Sequence, residues 1–205
     1  MFPYGEMLMF SMALIAWTEK LAQRKKFYAL AAAWIVGKAA EGLLGVQGPW
    51  HWDIARLAVI AVFWHWAWPQ ARRRVVPLVL TLAVMAGEDL FLVNEPGIVG
   101  EDAVMFILAA FAVAYLTAQS YWGMAAAVAG AAMLNQGLVV FFYRGISDYV
   151  DLPDRLLWHF GVAILAVAGI WRVCLPWLNF AAAKRWWRPG ARPQTEEGVD
   201  LEADQ

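Results

Sequence analysis

The chain has 205 residues, 62% of them hydrophobic and 15% aromatic, and its mean hydropathy is +0.52. Soluble domains hold roughly 45–50% apolar residues, so this composition excludes an ordinary water-soluble domain and points to a multi-pass protein of the cytoplasmic membrane. The formal net charge of −1 hides a segregation of signs along the chain, and the single cysteine, Cys174, excludes an internal disulfide framework and a cysteine-based zinc site.

Seven apolar segments follow one another at roughly 3–18, 27–46, 51–68, 75–93, 99–118, 121–143 and 154–177. Each approaches the ~20 residues that cross a bilayer, and a backbone in lipid must satisfy its own polar groups, so all seven are predicted helices. The N-terminal Met1-Phe2-Pro3-Tyr4-Gly5-Glu6 lacks the basic region of a signal peptide and is read as the start of the first span. The joints are short and hold turn residues, as at Gln47-Gly48-Pro49, Pro69-Gln70 and Glu95-Pro96-Gly97. The expected architecture is all-α, a seven-helix transmembrane bundle over residues 1–180. From Arg188 onward proline, glycine and acids replace the apolar residues, which predicts a disordered cytoplasmic tail over 181–205.

Lys20, Arg24, Lys25 and Lys26 fill the first joint, Arg72, Arg73 and Arg74 the third, and Lys184, Arg185, Arg188 and Arg192 follow the seventh segment. The positive-inside rule makes these ends cytoplasmic, giving an N-terminus outside and a C-terminus inside. Asp53, Glu95, Glu101, Asp102, Asp148, Asp151 and Asp154 fall in the intervening joints, on the outer side. Trp50 and Trp52 outside, Trp64, Trp66 and Trp68 inside, and Trp177, Trp186 and Trp187 at the inner exit read as interfacial belts. Gly5-Glu6 and Gly100-Glu101 open the first and fifth segments, and Tyr28-Ala-Leu-Ala-Ala-Ala33 resembles Trp122-Gly-Met-Ala-Ala-Ala127 at nearly the same offset, a weak internal similarity compatible with a 3+1+3 parallel repeat.

An ionisable group inside a span costs roughly 2.5–3.5 kcal/mol at the centre, so each one is a candidate functional residue. Trp34, Lys38 and Glu41 lie at offsets of four and three and share one helix face, where Lys38 and Glu41 can pair. Glu88 and Asp89 are adjacent and point about 100° apart. Glu88 is the deeper and is expected to face the bundle, with Asp89 reaching the interface. Asn135 and Gln136 sit within the sixth segment, where amides bond a neighbouring helix, and His159 lies one turn inside the seventh, within reach of a carboxylate. Glu6, Glu101 and Asp102 open helices, where carboxylates complement the positive end of the helix dipole; they form an outer-face acidic set. Arg56, one turn after Asp53, balances local charge.

The histidines fall at different depths and form no His-x-x-x-His pair, so no metal is expected, and no cofactor motif is present. Nor is there a Gly-x-Ser-x-Gly elbow, a His-Glu-x-x-His pair or a Walker loop. The basic residues serve topology, so no nucleic acid is expected as a partner, only the lipid bilayer and a small polar solute or other membrane proteins. This reading favours a non-enzymatic bundle with an outward-facing polar cavity lined by Trp34, Lys38, Glu41, Glu88, Asn135, Gln136 and His159. Its alternatives are an envelope assembly partner and an intramembrane enzyme in which Glu88 or Glu101 is the general acid or base.

The run Ala86-Gly87, Leu90-Phe91-Leu92 and Glu95-Pro96 between two spans, within a seven-helix layout of this length, resembles the YphA-type membrane proteins of spore-forming bacteria. That resemblance implies an integral membrane protein linked to sporulation and brings no catalytic residues. A second likeness is to the lycopene-cyclase domain: Gly100-Glu101-Asp102 with Phe106, and Gly5-Glu6 with Phe10, are similar to its Pro-x-Glu-Glu motif and following aromatics, without the proline. It implies chemistry on an isoprenoid or lipid.

Overall fold

Apolar runs closed by turn residues fold into seven helices in the computed structural model, which describes residues 3–20, 24–44, 50–94, 101–145 and 150–186. They are α1 (Tyr4–Thr18), α2 (Arg24–Leu44), α3 (Ile54–Gln70), α4 (Val75–Asn94), α5 (Glu101–Ala118), α6 (Tyr121–Phe142) and α7 (Arg155–Trp186). Two three-residue strands, β1 (Trp50–Trp52) and β2 (Val150–Leu152), complete the described chain. Among the described residues two stretches are long and apolar enough to cross a membrane, α6 and Arg155–Arg172 within α7. Two compact units are delimited, Met1–Gly169 and Ile170–Gln205; the described part of the second is the helix up to Trp186.

Within the first unit α6 is the central element. Every residue from Gly123 to Ala132 is buried, and most are alanine or glycine, so α3, α4 and α5 all pack closely on it. A Cβ on Gly130 would stand 2.7 Å from Trp64 Nε1, which is why only hydrogen fits there. Met85, Ile107, Phe111, Met124 and Val128 fill the space between α4, α5 and α6, while Met9, Val59 and Trp158 form a second core shared by α1, α3 and α7. At the start of α6 the Ser120 side chain accepts from Gly123 N–H at 3.1 Å, the expected use of a serine N-cap.

The basic joints cluster with the ends of neighbouring helices. Lys26 Nζ lies 5.5 Å from the Trp122 ring centroid, Arg74 lies 5.9 Å from that of Trp68, and Arg73 donates to Thr117 O at 3.4 Å.

Two boundaries differ from the sequence reading. Residues 50–52 do not begin a helix: they pair in parallel with 150–152, Trp50 opposite Val150 and Trp52 opposite Leu152, so α3 starts at Ile54 rather than 51. The pair is extended by Asp53 N–H, which donates to Leu152 O at 2.8 Å and fastens the entry of α3 to the approach of α7. At the other end α7 continues to Trp186, six residues past the boundary at 180, because Ala181-Ala182-Ala183-Lys184-Arg185 are strong helix formers. Glu95, Asp148, Trp187 and the rest of the tail lie outside the described residues, as do the side chains of Glu101, Asp102, Asp151, Cys174, Trp177 and Trp186.

Candidate functional site

At the end of the first unit opposite the basic joints, four helices contribute six ionisable groups to one network. Lys38 and Glu41, one turn apart on α2, pair at 2.7 Å. Lys38 Nζ also reaches Asp53 Oδ1 at 3.4 Å and stands 5.9 Å from the Trp34 ring centroid. The second oxygen of Glu41 accepts from the backbone N–H of Ala55 at 2.9 Å, so this carboxylate joins α2 to the first turn of α3. Close helix approach makes that reach feasible: a Cβ on Gly37 would fall 2.4 Å from Ala55 Cα.

Asp53 is the N-cap of α3, accepting from Arg56 N–H at 3.1 Å, and its other oxygen meets Arg56 Nε at 3.0 Å. It is buried just outside the helix. Burial pushes its carboxyl upward, but the Arg56 N–H and the charges of Arg56 and Lys38 outweigh this and hold it below the ordinary aspartate value. Arg56 then turns to α1, placing Nη2 at 3.0 Å and Nε at 3.1 Å from Glu6 Oε1. The arginine therefore does more than balance a neighbouring aspartate: it links α1 to α3 across fifty residues of sequence. Glu6 likewise serves as an ion-pair partner, in addition to lying in the first turn of α1, whose N-terminus has no side-chain cap.

His159 completes the network from α7. Its Nδ1 accepts from Gly5 N–H at 3.0 Å, which requires that nitrogen to be unprotonated and assigns the proton of the neutral ring to Nε2. Glu6 Oε2 stands 3.6 Å from the same Nδ1, and that buried oxygen has no hydrogen-bond partner. Gly5 is needed here because a Cβ would lie 2.7 Å from Trp158 Nε1 and 3.0 Å from His159 Nδ1.

Beside this network a groove of about 480 Å³ is lined by Pro3, Glu6, Met7, Phe10, Ser11 and Trp34. Phe10 and Trp34 meet edge to face with centroids 5.2 Å apart. Glu6 is the one charged residue of that lining.

A second polar group lies between α4 and α6. Asn135 Nδ2 donates to Asp89 Oδ2 at 2.6 Å. The sequence reading put Glu88 toward the bundle and Asp89 at the interface; Asp89 makes the cross-helix bond to α6, and both carboxylates are partly buried. Gln136 donates to Ala132 O of its own helix at 2.6 Å, so it does not bond a neighbour through that amide, and the carbonyl oxygens of both amides are buried without partners.

The seven expected cavity residues thus divide. Trp34, Lys38, Glu41 and His159 belong to the first network, Glu88, Asn135 and Gln136 to the region of α4 and α6, and only Trp34 of the seven lines the groove. Asp53 and Gly5 entered no sequence-based site. A signal for Asp53 was present, an aspartate immediately before an apolar run with Arg56 three residues on, which is an N-cap pattern. Among the described residues no three His, Cys, Asp or Glu side chains gather into a group that could hold a metal ion. Comparison with protein-family models, with curated proteins and with solved structures gives no match to this chain.

Proposed function

We propose that the chain is a seven-span integral protein of the cytoplasmic membrane, N-terminus outside, and that its outward end binds or moves a small polar solute without covalent chemistry. The large apolar side chains turned outward support the membrane reading: Leu43 is 87% exposed, Phe141 74%, Met105 and Leu116 69%, and Val167 66%, on four different helices. Exposure of large apolar side chains on several helices suits lipid tails. The separation of basic joints from the acidic end supports the orientation.

The observation that carries the solute reading is the groove itself, an open hollow backed by a polar network that holds Glu6 from α3 and the neighbouring Gly5 N–H from α7. Groups fixed in this way by second partners are the means by which a binding site keeps its geometry. The purified protein, screened against small polar solutes, is expected to gain thermal stability with one class of them, and proteoliposomes are expected to take up that class faster than empty vesicles. Absence of both effects across cationic, anionic and neutral solutes would overturn the proposal.

A further inference from the structure

Resting on the membrane reading above, we infer that the basic end of the first unit binds the phosphate of an anionic phospholipid headgroup, through Lys26 at the start of α2 and Arg73 and Arg74 ahead of α4. Among the described residues the joints at this end carry seven cationic side chains, Lys20, Arg24, Lys25, Lys26, Arg72, Arg73 and Arg74, against one carboxylate, Glu19. None of the seven makes an ion pair there. Their positions are unfavourable for cations alone: one run forms the first turn of α2 and the other directly precedes α4, so both meet the positive end of a helix dipole. Neither of these helices, nor α6, has an acid in its first turn. A bound anion relieves the repulsion that the fold leaves in place.

The packing brings the named cations to one place. Trp68 and Trp122 both lie on a patch of buried alanines, Ala67 and Ala71 with Ala125 and Ala126. Lys26 stands over the Trp122 ring and Arg74 over that of Trp68. Arg74 donates Nε to Ala71 O and Nη2 to Pro69 O, both at 3.2 Å, and Arg73 donates Nη1 to Thr117 O. A guanidinium has five N–H donors and an ammonium three, so all three side chains keep donors for phosphate oxygens. Both arginines are exposed and Lys26 is half-buried, so a ligand reaches them from outside. What makes that ligand a lipid is the surface next to the charges. Val75 and Val76, directly after Arg74, are 64% and 63% exposed, and Val79 one turn on is 54% exposed. A phosphate beside an apolar strip matches a molecule that carries acyl chains, and tryptophans at headgroup level suit the same boundary.

Short-chain phosphatidylglycerol, short-chain phosphatidylcholine and inorganic phosphate are titrated into the full chain in non-ionic detergent, with the melting temperature and the mass of the intact complex as readouts. Phosphatidylglycerol is expected to bind and to raise the melting temperature, and the other two are not. Lys26→Gln and Arg74→Gln are each expected to weaken that binding about fivefold, the effect of about one basic residue near an anionic surface. Arg74→Lys retains most of it. Arg144→Gln removes an exposed arginine past the other end of α6 and leaves binding unchanged. Should Arg74→Gln fail to fold, Arg72→Gln, which alters an exposed side chain without hydrogen bonds, gives the second reading. Equal binding of phosphatidylcholine, an equal response to inorganic phosphate, or an equal loss in Arg144→Gln overturns the inference and leaves the membrane reading standing. A chain that does not enter nanodiscs overturns both.

Discussion

Replacing Arg56 by methionine tests whether the charge network holds the bundle together. The guanidinium makes contacts of 3.0 and 3.1 Å to Glu6 and 3.0 Å to Asp53, and the side chains of all three are only 11–12% exposed. Methionine fills much of the same volume, so the loss is electrostatic: two largely buried carboxylates are left without their shared cation. Removing one partner of such a pair destabilises by about 3–5 kcal/mol, against about 0–1 kcal/mol for an exposed one. In a chain of this size each kcal/mol shifts the melting temperature by about 2–4 °C, so a fall on the order of 10 °C is expected. Reversible unfolding in mixed detergent, followed by tryptophan fluorescence, measures it. Lys38→Met is the control, since Lys38 is 40% exposed and its removal is expected to shift stability by about 1 kcal/mol or less. The double variant Glu6→Gln with Arg56→Met is expected to lose less than the sum of the singles, because the stranded carboxylate is gone. A loss below about 1 kcal/mol for Arg56→Met, with additive singles, would refute the reasoning.

Other sites give independent checks. Gly37→Ala drives a methyl against the backbone of Ala55 and is expected to lower the unfolding midpoint, whereas Gly42→Ala, with nothing within 4 Å, is expected to leave it unchanged or raise it by up to about 1 kcal/mol. Asn135→Leu removes the donor to Asp89 and is expected to cost about 1–3 kcal/mol by the same assay, with Gln136→Leu costing less because Gln136 bonds only its own helix. Asp53 has a folded-state carboxyl held below its ordinary value of 3.8, so its contribution is complete above that pH and is lost as pH falls through the lower folded value. Unfolding midpoints measured from pH 6 downward are therefore expected to drop more steeply below about pH 4 for the wild type than for Asp53→Asn; parallel curves would exclude this linkage.

The helices were legible because their cause is local. Apolar length, prolines and short polar joints fall where the seven helices begin and end, and five of the seven N-terminal boundaries agree within two residues of the apolar segments. The Lys38–Glu41 pair was legible for the same reason, since a separation of three residues fixes two side chains on one face. What the chain order conceals is pairing over distance. Glu6 and Arg56 are fifty residues apart, and Gly5 and His159 are 154 apart. The strand pair is the clearest case: Trp50-His51-Trp52 carries an interfacial signature by composition, and nothing within it announces a partner a hundred positions later. The bond of Asp89 to Asn135 was not legible because depth alone ranked the two carboxylates, whereas the angle at which α6 presents Asn135 decides which of two adjacent side chains it meets.

The unequal anchoring of the helices relates stability to the proposed binding. α6 buries thirteen of its residues and is held by packing, but α1 buries four, Gly5, Met9, Ala13 and Ala16, on one narrow stripe. A stripe with one methionine among glycine and alanine contributes little area, and at about 25 cal/mol per Å² it specifies the rotation of α1 more than its height. Height is set at the end of the stripe, where Glu6 meets Arg56 and Gly5 N–H meets His159. The N-cap and first two turns of α1 supply Pro3, Glu6, Met7 and Phe10 to the groove. The polar contacts of α1 therefore fix both the register of the helix and the width of the hollow, so an occupant of the groove is expected to tighten the seat of α1. Ligand binding and resistance of α1 to local opening are consequently expected to rise together, and amide exchange at the start of α1, compared with exchange in α6, reads that coupling directly.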